Sequence, residues 1–162
     1  MLRKRLTYLT LALGTVVVIA ASIGTAVVRA DDDEQRFTAT DPVWKEECGS
    51  CHIAYPPRLL PASSWKQIMS SLDKHFGSDA SVDQKTADHI AAFLERNAGR
   101  ERASGTSTNL RITRTRWFLR EHHEVSARTW LSPKVKSASN CEACHIDAAN
   151  GDFSEHRVRI PR

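Results

Sequence analysis

The chain has 162 residues and a mass of 18.1 kDa, with 41% hydrophobic and 26% charged residues, which excludes a fibrous or wholly disordered protein and leaves room for one domain or two small ones. Its formal charge of +4 comes from the N-terminus. Arg3, Lys4, Arg5 and Arg29 lie in residues 1–30 without an acid, and the remaining 19 basic residues face 19 acidic ones. That balance excludes a general nucleic-acid binder, which keeps a basic excess.

Residues 1–30 read as an address. Arg3-Lys4-Arg5 precede an uncharged run from Leu6 to Val28, a positive n-region followed by an apolar h-region. Small residues at Val28 and Ala30 suit a cleavage site, which makes the segment a signal peptide removed on export. The run is also long enough to span a bilayer as an uncleaved anchor, its basic end inside, and only then would the protein contact the membrane. Either outcome places residues 31–162 in the periplasm.

Asp31 to Thr40 is polar and reads as a mobile mature N-terminus. Asp41-Pro42 is an N-cap with proline at the first helical position, opening a short helix through Val43, Trp44 and a Cys48-x-x-Cys51-His52 motif that it carries. Tyr55-Pro56-Pro57 and Pro61 make residues 53–62 a loop. Ser63 or Ser64 can cap the next helix, whose stripe is Trp65, Ile68, Met69, Leu72 and Phe76, stopped by Gly77. Ser81-Val82-Asp83-Gln84 has a capping-box pattern, and Ala87, Ile90, Ala91, Leu94 and Ala98 form one face of a third helix ending at Gly99. Residues 31–98 thus form a first domain, 99–109 an aperiodic linker, and 110–162 a second unit. In that unit Arg114 to Val125 reads as a helix with Phe118 and Leu119 on its apolar side, and 126–139 as mostly irregular. Asn140 caps a short helix carrying Cys141-x-x-Cys144-His145 and ending near Gly151. This unit is too short to bury an ordinary core alone.

The four cysteines fall entirely within two C-x-x-C-H motifs. Two thiols at that spacing add to the two vinyl groups on one porphyrin edge, and the following histidine reaches the iron from one face. The pattern therefore indicates two covalently attached haem c groups, held by Cys48, Cys51, Cys141 and Cys144, with His52 and His145 as proximal ligands. Two disulfides would not need the histidines, and a Cys₄ zinc site would not either. The haem of the second unit must serve as much of its core.

A low-spin electron-transfer haem needs a sixth ligand, Met or His. For the first haem the candidates are Met69, His75 and His89. Met69 sits inside the apolar stripe as a core filler, His75 lies at the edge of the inward face, and His89 reads as a solvated surface residue. For the second they are His122, His123 and His156, of which His122 shares a helical face with Phe118, Leu119 and Val125. His75 and His122 lead; His123 stays open as the alternative at the second haem.

Trp44-x-x-Glu47-Cys48, Tyr55-Pro56-Pro57-x-Leu59-Leu60-Pro61, His75-Phe76-Gly77-x-Asp79-Ala80-Ser81, Arg111-Ile112-Thr113, Glu121-His122-x-Glu124 and Ser139-Asn140-Cys141 together resemble the small exported dihaem cytochromes c over nearly all of residues 41–161. The resemblance implies an all-α chain: a class I-like cytochrome c domain plus a small, largely irregular second haem-binding unit. It implies bis-histidine ligation, with His75 and His122 as distal ligands. It also implies electron transfer with redox partner proteins, such as a monohaem oxygen-binding cytochrome c or a membrane b-type cytochrome. Two fully ligated irons leave no site for substrate chemistry, so an electron-transfer protein rather than an enzyme is expected. The alternative is a dihaem peroxidase-like enzyme or a redox or gas sensor with a displaceable ligand. Bis-histidine ligation lacks the methionine that raises potential, so both potentials should be low. Residues 31–99 carry net −5 and residues 100–162 net +5. This is either two solvated faces or a dipole that orients the carrier between partners.

Overall fold

The computed structural model describes residues 37–100 and 110–161; the expected signal or anchor and most of the linker lie outside them. The described chain is all-α. Five short helices, α1 (Pro42–Gly49), α2 (Ala62–Met69), α3 (Gln84–Arg96), α4 (Arg116–Glu121) and α5 (Ala127–Trp130), are joined by 3₁₀ turns, and the β pairing among the described residues is limited to isolated bridges.

The first half is built around α3, against which α1 and α2 pack. Asp41 caps α1 by accepting from the Trp44 amide at 2.9 Å, and Pro42 supplies the first helical position as expected. Asp83, rather than Ser81, caps α3, accepting from the Thr86 amide at 3.1 Å and its hydroxyl at 2.6 Å. The α2 start carries no side-chain cap, because Pro61 occupies that position and Ser64 is buried. Trp44, Leu60, Trp65, Ile68, Ile90, Phe93 and Leu94 form the buried core, with Met69 packed at its edge. Burying one such side chain contributes about 1.5–3 kcal/mol. The Trp65 indole donates to the Pro57 carbonyl at 2.6 Å, tying the loop after the first motif to α2.

Two helices are shorter than their periodicity suggests. The stripe from Trp65 continues in sequence to Phe76, but α2 stops at Met69 and a 3₁₀ turn over Leu72–Lys74 follows. Ser70 and Ser71 donate their hydroxyls to the Gln67 carbonyl, a local alternative to continuing the helix. Phe76 then takes a left-handed φ of 52° and Gly77 one of 106°, a reversal a helix cannot contain. Likewise α4 ends at Glu121, so the helix expected over 114–125 spans half that length, and Leu119 is 59% exposed while Phe118 is buried.

The second half has a small core of Phe118, Val135 and Ala148. Its second motif opens on a 3₁₀ turn over Cys141–Ala143 in place of the expected helix, and Asn140 makes no cap because its side-chain amide donates to the Val135 carbonyl; a further turn over Ala148–Asn150 ends at Gly151, φ 76°. After a 3₁₀ turn over Glu155–Arg157 the tail returns, its Arg159 amide donating to the Cys144 carbonyl at 2.8 Å.

Each half reaches into the other. The Phe37 amide donates to the Gly151 carbonyl at 2.9 Å, and its ring meets Phe153 edge-on at 5.4 Å, so this part of the N-terminus is tethered rather than loose. Tyr55 donates its hydroxyl to the Ser139 carbonyl at 2.6 Å. Leu110 and Ile112 pack against the first core, and the Arg111 guanidinium lies 4.3 Å from the centre of the Phe76 ring.

Candidate functional site

The end of α1 carries Cys48, and the turn after it presents Cys51 and His52. The Nδ1–H of His52 donates to the Ile53 carbonyl at 2.7 Å, which fixes the ring and leaves Nε2 for a metal. His75 comes from the loop after α2, held by the Ser78 amide on its carbonyl (3.1 Å) and the Ala80 amide on Leu72 (2.9 Å). The His52 and His75 rings face each other with centroids 6.2 Å apart and planes 23° from parallel.

The second motif repeats this with different parts. His122 is the C-cap of α4. Its amide and its Nδ1–H both donate to the Phe118 carbonyl, at 3.1 and 2.9 Å, and its ring stacks on Phe118 at 4.0 Å. The His122 and His145 rings stand 6.1 Å apart with planes at 70°. Trp130 lies 5.9 Å from His122, and Phe153 5.3 Å from His145.

These separations fit a metal between each pair. A metal–imidazole bond of about 2.0–2.1 Å on either side sets ring centroids roughly 6.3 Å apart. The Nδ1 atoms of His75 and His145 are buried without a hydrogen-bond partner among the described residues, so neither ring is drawn towards a competing protein group. Burial lowers the pKa of both; His52, then Arg111, adds to the effect at His75, and His122 at His145. All these causes favour the neutral ring, the form that ligates iron.

Burial also pushes the Cys48 and Cys141 thiols up to about 11, with Glu47 adding to the first; the Cys144 thiol is raised for the same reason. All four cysteines are free of disulfides, and among the described residues no three His, Cys, Asp or Glu side chains converge on one point. Two separate pairs of reduced thiols suit attachment to one porphyrin edge each and not a shared tetrathiolate.

The remaining candidates are engaged elsewhere. Met69 packs at the edge of the first core. His89 Nε2 lies 2.8 Å from the Asp41 carboxylate, supporting the α1 cap. His123 is exposed, its Nδ1–H donating to the Arg120 carbonyl at 2.8 Å and its Nε2 3.9 Å from Glu124. His156 sits in a 3₁₀ turn of the tail, Glu155–Arg157. Met69→Leu is therefore expected to leave both irons low-spin. The weak red-end band of sulfur–iron ligation should be missing from the oxidised parent; its presence there and loss in the variant would overturn the assignment.

Sequence reasoning left Tyr55 without a role, and Trp130 unremarked. The Tyr55 ring stacks on His52, centroids 4.7 Å apart and planes 24° from parallel. Burial, with Cys141 nearby, pushes its phenol up to about 12, so it remains a donor. Its acceptor is 84 residues away, beyond any local pattern.

A family described as dihaem cytochrome c matches residues 44–153. Among solved structures, the chain is similar to a dihaem cytochrome c from Rhodobacter sphaeroides, with 45% identity, a TM-score of 0.65, and coverage of 72% of this chain and 98% of that one. A second structure of such a protein purified from the same organism gives 45% identity, a TM-score of 0.61, and coverage of 70% and 97%. A dihaem cytochrome type c from Shewanella baltica OS155 gives 39% identity, a TM-score of 0.66, and coverage of 74% and 92%. No curated protein matches the chain.

Proposed function

The chain belongs to the dihaem cytochrome c family and carries two covalently bound haem c groups, and from that premise we propose that it is an exported electron carrier with both irons bis-histidine ligated. The observation that carries this reading is the pair of facing imidazoles: His52 with His75 at 6.2 Å, and His145 with His122 at 6.1 Å. When bound, the haems supply a one-electron store at each site.

The protein's part is to hold and to shield. Cys48, Cys51, Cys141 and Cys144 fix the porphyrin edges. The Ile53 and Phe118 carbonyls orient His52 and His122 through Nδ1. Phe118, Trp130 and Phe153 line the second pair with apolar surface, taking the place of the core that this half lacks. Four neutral nitrogen ligands and no sulfur ligand favour low potentials.

Residues 1–30 support export to the periplasm, as a cleaved signal or an anchor; among the described residues no helix is long and apolar enough to cross a membrane. Partners are redox proteins, for which a monohaem oxygen-binding cytochrome c and a membrane b-type cytochrome are the candidates. The opposite charges of the two halves provide a way to orient towards donor and acceptor.

Carbon monoxide tests the reading. The spectrum of the fully reduced protein is expected to change hardly at all on exposure. A large change would mean an open or displaceable site, and would favour a peroxidase-like enzyme or a gas sensor over a carrier.

A further inference from the structure

We propose that Tyr55 is a positioning residue that couples the two haem sites, its ring stacked on His52 and its hydroxyl bonded to the Ser139 carbonyl two residues before Cys141. One side chain thereby touches the proximal ligand of the first site and the backbone that leads into the attachment motif of the second. Cys51, His52, Ser139, Asn140 and Cys141 line a common groove with it, so the two motifs approach each other here.

The phenol is suited to this task. A 2.6 Å bond to a carbonyl is short and directional, and the ring beneath it is rigid, with only two rotatable bonds to order. The backbone that accepts the bond is itself braced. Ser137 Oγ accepts from the Ser139 amide at 3.2 Å, and the Asn140 side-chain amide donates to the Val135 carbonyl at 3.0 Å. Pro56 and Pro57 follow Tyr55 directly and are buried, which limits movement on the other side. The Tyr55–Ser139 bond is therefore a stiff strut between the motifs. Two reducible centres at a fixed short distance repel each other's added electron, which separates their potentials, and exchange electrons quickly.

This inference rests on His52 as a proximal ligand, and the experiment separates the two. Tyr55→Phe, in the mature dihaem protein, keeps the stack and loses the bond. Hydrogen exchange at the amides of residues 139–141 should speed up about fivefold, the effect of one ordinary hydrogen bond. The redox interaction between the haems should shrink in a potentiometric titration, and electron exchange between them should slow several-fold. Ser137→Ala loosens the acceptor while leaving Tyr55 intact, and should move both redox quantities in the same direction. It also serves if Tyr55→Phe matures poorly. A merely structural tether would alter exchange or unfolding and leave the redox interaction at its parent value in both variants, which would overturn the proposal. A high-spin iron in Tyr55→Phe would overturn it differently, by showing that Tyr55 acts on His52 ligation and not on the link.

Discussion

Replacing His122 with alanine is expected to leave one iron five-coordinate, high-spin and able to bind carbon monoxide when reduced, whereas His123→Ala leaves both irons low-spin. His122 lies 6.1 Å from His145, and its Nδ1 is already committed to the Phe118 carbonyl, which leaves Nε2 directed away from the helix. His123, its neighbour, is exposed and bonds the Arg120 carbonyl. His122 is the C-cap of α4 and His123 lies beyond it, and each ring is held by its own carbonyl, so the two cannot trade places without breaking both bonds. Absorption and carbon monoxide difference spectra of the two variants decide the matter, and the reverse pattern would assign the ligand to His123.

The second large effect is expected at Gly99. A side chain there would run into the Arg58 carbonyl oxygen, with the Arg58 carbon at 3.1 Å and the Leu60 carbonyl oxygen at 3.4 Å. Meanwhile the Gly99 amide donates to the Leu60 carbonyl at 2.8 Å, which holds the chain against those same atoms. Those neighbours are backbone, set between Pro57 and Pro61, so they cannot swing aside as a flexible side chain would. Gly99→Ala should cost about 1–3 kcal/mol of stability, the usual range for forced overpacking. Denaturant unfolding of the mature protein measures it; a midpoint within error of the parent would show that the close approach is not obligatory. Gly99 also fixes where the chain leaves the first core, so the loss should be felt at the loop that follows the first motif.

The sequence made some parts of this molecule legible and hid others for physical reasons. Both attachment motifs, the Asp41 cap and the inward faces of α2 and α3 are local patterns, and local patterns survive folding. The sequence pointed to Gly99 as the end of α3, which stops earlier, at Arg96, with Asn97 as its C-cap; the close approach of Gly99 to Arg58 was hidden because the two are 41 positions apart in the chain. His122 could be preferred to His123 from helical phase, although the helix stops before it and the ring is aimed by its bond to Phe118. The phase argument also placed Leu119 inward, where in fact it is exposed: six residues are too few for one face to be buried along its whole length. Phe37 looked loose because its partners, Gly151 and Phe153, lie at the other end of the sequence.

The differing tilt of the two imidazole pairs has an electronic consequence. In the bis-histidine centres proposed above, nearly parallel rings, at 23° for His52 and His75, would act along one direction in the plane between them and split the two iron d orbitals of π symmetry. Rings at 70°, as for His145 and His122, act on both orbitals almost equally and leave them close in energy. With the same two imidazole donors at each, the two oxidised centres would acquire different magnetic anisotropies. Each then has its own paramagnetic resonance signature, and an electron arriving on the chain can be assigned to one centre or the other within a single sample.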